Sequence, residues 1–230
     1  MNDFLQLGMG IYTIPEASLI LNLPVNKLRR WITGYRRISN GKSEHKEIIP
    51  DIRKSGKSSG VNLNFLALIE LYIIGQLREK NHSFHKIRTA RQELVERLNT
   101  EYPFANRNIL SDGKSILYDL GSEKTKSAIE LGTKGQTVFL DIVQDFYERI
   151  DFGGSDALAE RFWPLGKKSQ IVVDPHHCFG APAIKNTNIP AGTVYDLYLG
   201  GESVRTISSL YEIDVSAVED AIRFMERRVA

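Results

Sequence analysis

The densest chemistry in the chain lies at Asn26, Lys27, Arg29 and Arg30, inside residues 12–35 (YTIPEASLILNLPVNKLRRWITGY). Lysine and arginine neutralise phosphates, arginine with a planar fork that makes two hydrogen bonds at once. An asparagine amide both donates and accepts, which suits the major-groove edge of adenine. Tyr35, Arg36, Arg37 and Lys42 follow directly, and such donors hold a sugar–phosphate backbone. These types at this spacing point to duplex DNA. The competing reading is a solvated basic helix face, since amphipathic helix pairs are common.

The elements that must position them are legible locally. Thr13 with Glu16 three residues on is a capping-box pair, and Pro15 falls in a first turn where its missing N–H costs little. Ala17, Ile20 and Leu21 recur at helical spacing. Asn22 tolerates the left-handed conformation of a tight turn, and Pro24 separates two helices. The second helix, about 25–35, puts Leu28, Trp31 and Ile32 on one face and Lys27 with Arg30 on another, Arg29 flanking. Next comes a basic stretch to residue 60 whose apolar residues cluster at Ile48, Ile49 and Ile52. It reads either as a hairpin wing or as a floppy basic loop.

Charge distribution supports a polyanion partner. The 230 residues carry a net charge of only +2. Residues 26–60 hold ten Lys/Arg against three acids, a local +7, which leaves −5 elsewhere. A basic patch on an otherwise acidic chain is the footprint of a nucleic-acid binder. The composition, 42% hydrophobic and 25% charged, is that of a globular protein. The single cysteine, Cys178, excludes an intramolecular disulfide and fits a reducing, cytoplasmic setting. No signal-peptide pattern opens the chain, and the most apolar run, 65–74, is too short to span a membrane.

Other groupings lead nowhere catalytic. Asp174, His176, His177 and Cys178 stand too close together to converge tetrahedrally on one metal ion, so a plain loop is the better reading. His82 and His85 read as surface residues at a helix start. Asp141, Asp145 and Glu148 form a solvated helical row. Gly132 to Gly135 lacks the spacing of a phosphate loop. The expectation is no enzyme, no metal and no cofactor.

Further along, 62–79 and 83–98 read as two helices, with Ser83 capping the second. Arg88, Arg91, Glu96 and Arg97 lie outside the latter's apolar face. Residues 108–118 read as a hairpin turning at Asp112-Gly113. Residues 122–134 are ambiguous, 138–150 read as a helix, and 151–155 break it. Residues 162–165 and 171–173 read as a second hairpin, and 174–190 as a long ordered loop. Three short helices close the chain: 193–199, then 203–211 with Val204, Ile207 and Leu210 inward, then one capped by Ser216 with Glu219. The predicted class is mainly α. The predicted domains are 1–100, a connector and possible dimer platform over 101–160, and a C-terminal trihelical, helix-turn-helix-like unit over 161–230.

Two resemblances sharpen this. YTIPEASLILNLPVNKLRRWI, the basic wing and the pair LNFLALIELYIIGQLREKNHSFHKIRTARQEL resemble a MerR-type winged helix-turn-helix. The chain differs in having Asn22 where that turn commonly has Gly, and Pro24 where a capping Ser is common. Residues 171–228 are similar to the small family of VapB-type antitoxins. The pattern is carried by Asp174-Pro175, Gly180-Ala-Pro182-Ala-Ile184, Thr187-x-Ile189-Pro190 and Leu199-Gly-Gly-Glu-Ser-Val204 leading to Tyr211 and Ala221. Asn186-Thr187-Asn188 replaces that family's usual Gly-Thr-Arg. The resemblance implies a dimeric antitoxin that pairs with a PIN-domain ribonuclease toxin and represses its own operon. From residue 151 on, 8 basic and 11 acidic residues net −3, a charge that could complement a basic RNA-binding groove or merely solubilise. A stand-alone regulator and a protein-only interaction module are the other readings.

Overall fold

Local capping starts the fold. In the computed structural model, which describes residues 10–39, 42–46, 62–106, 109–111, 116–119, 127–131, 137–139, 147–153 and 158–227, Thr13 and Glu16 form the expected capping box. The Glu16 carboxylate accepts the Thr13 amide at 2.7 Å, and the Thr13 hydroxyl accepts the Glu16 amide at 3.4 Å. Helix α1 (Ile14–Leu21) ends at Asn22 with φ 54, the left-handed turn the residue type allows. Helix α2 (Val25–Thr33) follows and ends before Tyr35, which instead opens strand β1 (Tyr35–Ser39). Strand β2 (Lys42–Lys46) pairs antiparallel with β1, so the basic stretch begins as a hairpin. Ile48, Ile49, Ile52 and 54–60 lie outside the described residues.

Helix α3 (Phe65–Glu79) starts where the Asn64 side chain accepts the Ala67 amide at 2.8 Å. It is buried on nearly every side, as its almost continuous apolar run requires. Ser83 caps α4 (Phe84–Leu98) as expected. Two surface expectations fail here. Arg91 turns inward and pairs with Glu70 of α3 at 3.1 Å, both nearly inaccessible, because Glu70 lies in the apolar run and needs a cation. Glu70 also accepts the Phe104 amide, and Arg91 donates to the Glu101 carbonyl. His82 is buried too, folded back where its amide meets the Leu77 carbonyl.

The middle of the chain is more β than its sequence suggests. Strands β3 (Ile109–Ser111), β4 (Ile116–Asp119), β5 (Ser127–Glu130) and β6 (Thr137–Phe139) form one antiparallel sheet in chain order. The first two are the expected hairpin, Ser111 opposite Ile116; Asp112-Gly113 lies outside the described residues. The helix expected over 138–150 is not formed at its ends. Val138 pairs with Ala128, and Ile150 begins β7 (Ile150–Gly153), which pairs with β8 (Leu158–Phe162). A short apolar run has no periodicity that separates strand from helix, and here sheet partners decide. Asp151 is therefore a strand residue, not a breaker. The expected second hairpin shrinks to one bridge, Phe162 to Val173, because β9 (Ile171–Val172) pairs with β10 (Ala183–Ile184) inside the presumed loop.

Helices α5 (Ala191–Leu199), α6 (Val204–Tyr211) and α7 (Val215–Met225) complete the chain. Helix α7 starts earlier than expected. The Asp214 carbonyl accepts the Ala217 amide at 2.9 Å, so Ser216 and Glu219 sit within the helix rather than capping it. Ile207 turns inward, but Leu210 is 63% exposed. The fold is mainly helical with small antiparallel sheets and a helix-turn-helix at its start. One set of buried apolar side chains runs from Tyr12 through α3 to Phe224, and the Tyr72 and Phe162 rings meet at 4.9 Å within it.

Candidate nucleic-acid interface

The turn between α1 and α2 is held from inside. The Ser18 hydroxyl donates to the Leu23 carbonyl at 2.6 Å, and the Leu23 amide returns to the Ser18 carbonyl at 3.1 Å. With Asn22 left-handed, this sets the angle between the helices without any glycine. Helix α2 then buries Leu28, Trp31 and Ile32. The Trp31 ring meets Phe84 of α4 edge-on at 5.7 Å, and Arg78 lies over Phe84 at 4.5 Å. Helix α2 is thus anchored to α4 by edge-on aromatic packing.

What this anchoring leaves outside is the predicted set. Asn26, Lys27, Arg29 and Arg30 are all exposed. Lys27 stays on the helix, its Nζ 5.3 Å from the Trp31 ring centre. No side chain caps α2, so the positive end of its dipole lacks a side-chain acceptor. Tyr35, Arg36 and Arg37 follow on β1 and Lys42 starts β2; Tyr35 lies opposite Lys46, and Ser39 opposite Lys42. The fold thus brings the eight candidates onto one helix and the hairpin next to it.

Sequence reasoning missed what braces α1 from the far end of the chain. The Arg227 guanidinium donates to the Leu19 carbonyl at 2.7 Å, to Ile20 at 3.5 Å and to Pro164 at 3.2 Å. The first two are last-turn carbonyls of α1, which have no helical partner and favour a cation. Burial pulls the Arg227 pKa down to about 10, with Arg149 adding like charge. Likewise the Tyr12 hydroxyl, before α1, donates to the Gly180 carbonyl at 3.0 Å. Burial raises that phenol well above its ordinary range, so it stays a donor. Contacts across 168 and 208 residues leave no local signal.

The remaining polar loop does not converge on a metal. Asp174 accepts the His176 amide at 2.9 Å, Arg161 at 2.9 Å and His177 at 3.1 Å, while Cys178 enters a separate 3-10 turn. Burial would raise the Asp174 carboxyl, but these hydrogen bonds and cations outweigh it and hold the group below its ordinary range. Burial pushes the Cys178 thiol up, away from thiolate chemistry. Among the described residues no three His, Cys, Asp or Glu side chains are grouped to hold an ion. The cavity beside Asp174, lined by Arg161, Trp163 and Lys185, measures only about 60 Å³, well below a metabolite site. Asp141, Asp145 and Gly132 to Gly135 lie outside the described residues, and no helix among those described is long and apolar enough to cross a membrane.

Comparison with known proteins divides along the same lines. Residues 10–91 match a family described as "Putative DNA-binding HTH domain", and residues 171–225 match one described as "Protein of unknown function (DUF433)". Across 95% of both chains the protein is 21% identical to a Mycobacterium tuberculosis protein named "Putative antitoxin VapB45". It is 24% identical to "Uncharacterized protein Rv2308" of the same organism, over 96% of this chain and 92% of that one. The crystal structure of Rv2018 from M. tuberculosis shares the fold, with a TM-score of 0.62 at 22% identity over 92% of this chain and 96% of the other.

Proposed function

We propose that this chain is the antitoxin of a type II toxin–antitoxin system. It binds operator DNA as a homodimer through a MerR-like winged helix-turn-helix, represses its own operon, and neutralises a PIN-domain ribonuclease toxin. It acts in the cytoplasm and carries out no catalysis. The observation that carries the DNA part is the face of α2: Asn26, Lys27, Arg29 and Arg30 are exposed together while the rest of the helix is locked into the core. Lys27, Arg29 and Arg30 contact phosphates or base edges, Asn26 reads adenine, and Tyr35, Arg36, Arg37 and Lys42 hold the backbone alongside. Two readers in a dimer span half-sites one helical turn, or a multiple, apart. The toxin part is supported by the full-length similarity to a relative named as an antitoxin.

The test uses the purified full chain, a labelled duplex from upstream of its gene, and the product of the adjoining reading frame. The expected result is tight, salt-sensitive binding of the duplex and suppression of RNA cleavage by the neighbouring product. Duplex binding without any partner ribonuclease would support the stand-alone regulator instead. No duplex binding at low salt would leave only a protein-interaction role and overturn the proposal.

A further inference from the structure

The backbone of α1 and α2 recurs at the end of the chain. Thr13 and Ser203 stand 203 − 13 = 190 residues apart, and each hydroxyl accepts the amide three residues on, from Glu16 and Thr206. At the same offset, Ser18 and Ser208 each donate a hydroxyl hydrogen bond of 2.6 Å, to the carbonyls of Leu23 and Ile213. The Leu23 and Ile213 amides each return 3.1 Å bonds to those serines' carbonyls. Asn22 and Glu212 close α1 and α6 with φ 54 in both. The same turn is thus built twice, and each copy serves as a control for the other.

One contact is missing from the second copy. Helix α1 ends with the Leu19 and Ile20 carbonyls on the Arg227 guanidinium, at 2.7 and 3.5 Å. Their counterparts in α6 are Ser209 and Leu210, both exposed, and no described side chain donates to their carbonyls. The second turn forms all the same, with the same brace and the same φ. Making the turn therefore does not require an arginine, and Arg227 must serve something else.

What Arg227 adds is a tie between distant parts of the chain. Its Nε donates to the Phe224 carbonyl at 3.3 Å and its Nη1 to the Pro164 carbonyl at 3.2 Å. The guanidinium also lies 4.4 Å from the centre of the Phe224 ring, so its head is fixed where it meets α1. At the other end of α1, the Tyr12 hydroxyl donates to the Gly180 carbonyl at 3.0 Å. Both ends of α1 are thus held by residues from 164 onward. The Ser18–Leu23 brace carries that position to the start of α2, while the Trp31–Phe84 contact fixes the end of α2.

Position matters more to a base reader than to a phosphate binder. A hydrogen bond to a base edge tolerates only a few tenths of an ångström around its best length. The attraction of a cation for a phosphate falls only as the inverse of distance. We propose that Arg227 and Tyr12 are positioning residues of the DNA reader, through which the C-terminal part of the chain sets where α2 stands in the major groove. The proposal rests on the DNA-binding reading above. Neither residue touches DNA. Loosening either tie costs sequence discrimination and spares general affinity.

The test compares two labelled duplexes of equal length, one from upstream of the gene and one scrambled, by fluorescence anisotropy on the full chain. Arg227→Met keeps the stem against Phe224 and removes every donor; Tyr12→Phe removes only the hydroxyl. Each should weaken the upstream duplex about 10-fold, the discrimination of one well-placed base contact. The scrambled duplex should change less than about 3-fold, and the salt slope should stay at the wild-type value, because no phosphate contact is lost. Arg205→Met, which removes equal charge from an exposed site on α6, should match wild type on both duplexes. An unchanged ratio of the two affinities overturns the proposal, whether both fall together through unfolding or neither falls. A salt slope lower by about 0.9 in Arg227→Met makes that residue a phosphate contact and also overturns it. So does a matching loss in Arg205→Met, which would put the C-terminal part itself on DNA. A wild-type chain that binds neither duplex, or both equally, sinks the DNA-reading assignment on which the proposal rests.

Discussion

Replacing Arg29 and Arg30 by alanine tests whether α2 is the DNA reader. Both side chains are exposed, and the buried anchors Leu28, Trp31 and Ile32 are untouched. Alanine is the strongest helix former, so α2 should persist. The hydrogen bond from the Thr33 hydroxyl reaches the Arg29 main-chain carbonyl and survives the change. Each guanidinium that neutralises a phosphate adds about 0.9 to the slope of log K against log salt. Two arginines therefore account for about 1.8 per reader and about 3.6 for a dimer. At about 0.1 M monovalent salt the same relation gives about 1.8 log units, or about 2.5 kcal/mol, per reader. The assay is fluorescence anisotropy of the labelled upstream duplex across about 50–400 mM KCl, where this slope is read directly. Thermal melts by circular dichroism run alongside. A double variant that keeps the wild-type slope and affinity would refute the placement of α2 on DNA. A loss of affinity matched by a collapse of the thermal transition would mean the arginines hold the fold instead.

Glu70→Ala should cost about 3–5 kcal/mol in urea unfolding, because it strands the buried Arg91 guanidinium and the Phe104 amide; a cost under about 1 kcal/mol would mean the pair is not buried in solution. Gly180 has φ +84, and a Cβ there would lie 2.4 Å from the Tyr12 hydroxyl. Gly180→Ala should therefore destabilise by more than the about 1–2 kcal/mol of left-handed strain, and adding Tyr12→Phe should recover part of it in a double-mutant cycle. Strictly additive effects would remove Tyr12 from the contact. Asp174 and Asp151 are both held below the ordinary carboxyl range, Asp151 despite burial by hydrogen bonds from Lys167 and Trp163. Their stabilisation is complete above the unfolded value of about 3.9 and is lost as pH falls through the folded values. The melting temperature should hold from about pH 7 to 5 and drop below about pH 4, less steeply for Asp174→Asn; an identical acid limb in that variant would refute the assignment.

Much of the reader was legible because its causes are local. A capping box spans four residues, Asn22 and Pro24 act on their own backbone, and the apolar face of α2 repeats within nine residues. Each signal is written within the reach of one or two helical turns. The same holds for Ser83 at the start of α4. The exposure of Asn26, Lys27, Arg29 and Arg30 followed from the burial of the residues between them.

By itself, then, the amino-acid order determined the helix pair, the basic face and the contrast between a basic start and an acidic end. Tertiary structure decided which polar side chains turn inward and which segments pair. Arg91 and His82 looked like surface residues until α3 supplied a buried carboxylate and a helix end against which to fold. Residues 137–139 became a strand because Ala128 and its neighbours offered an edge. Arg227 reaches α1 only because the end of the chain returns to that helix's open carbonyls. Hydrogen bonds within four residues follow from local dihedrals. Those across 200 residues depend on a chain path that no single stretch encodes.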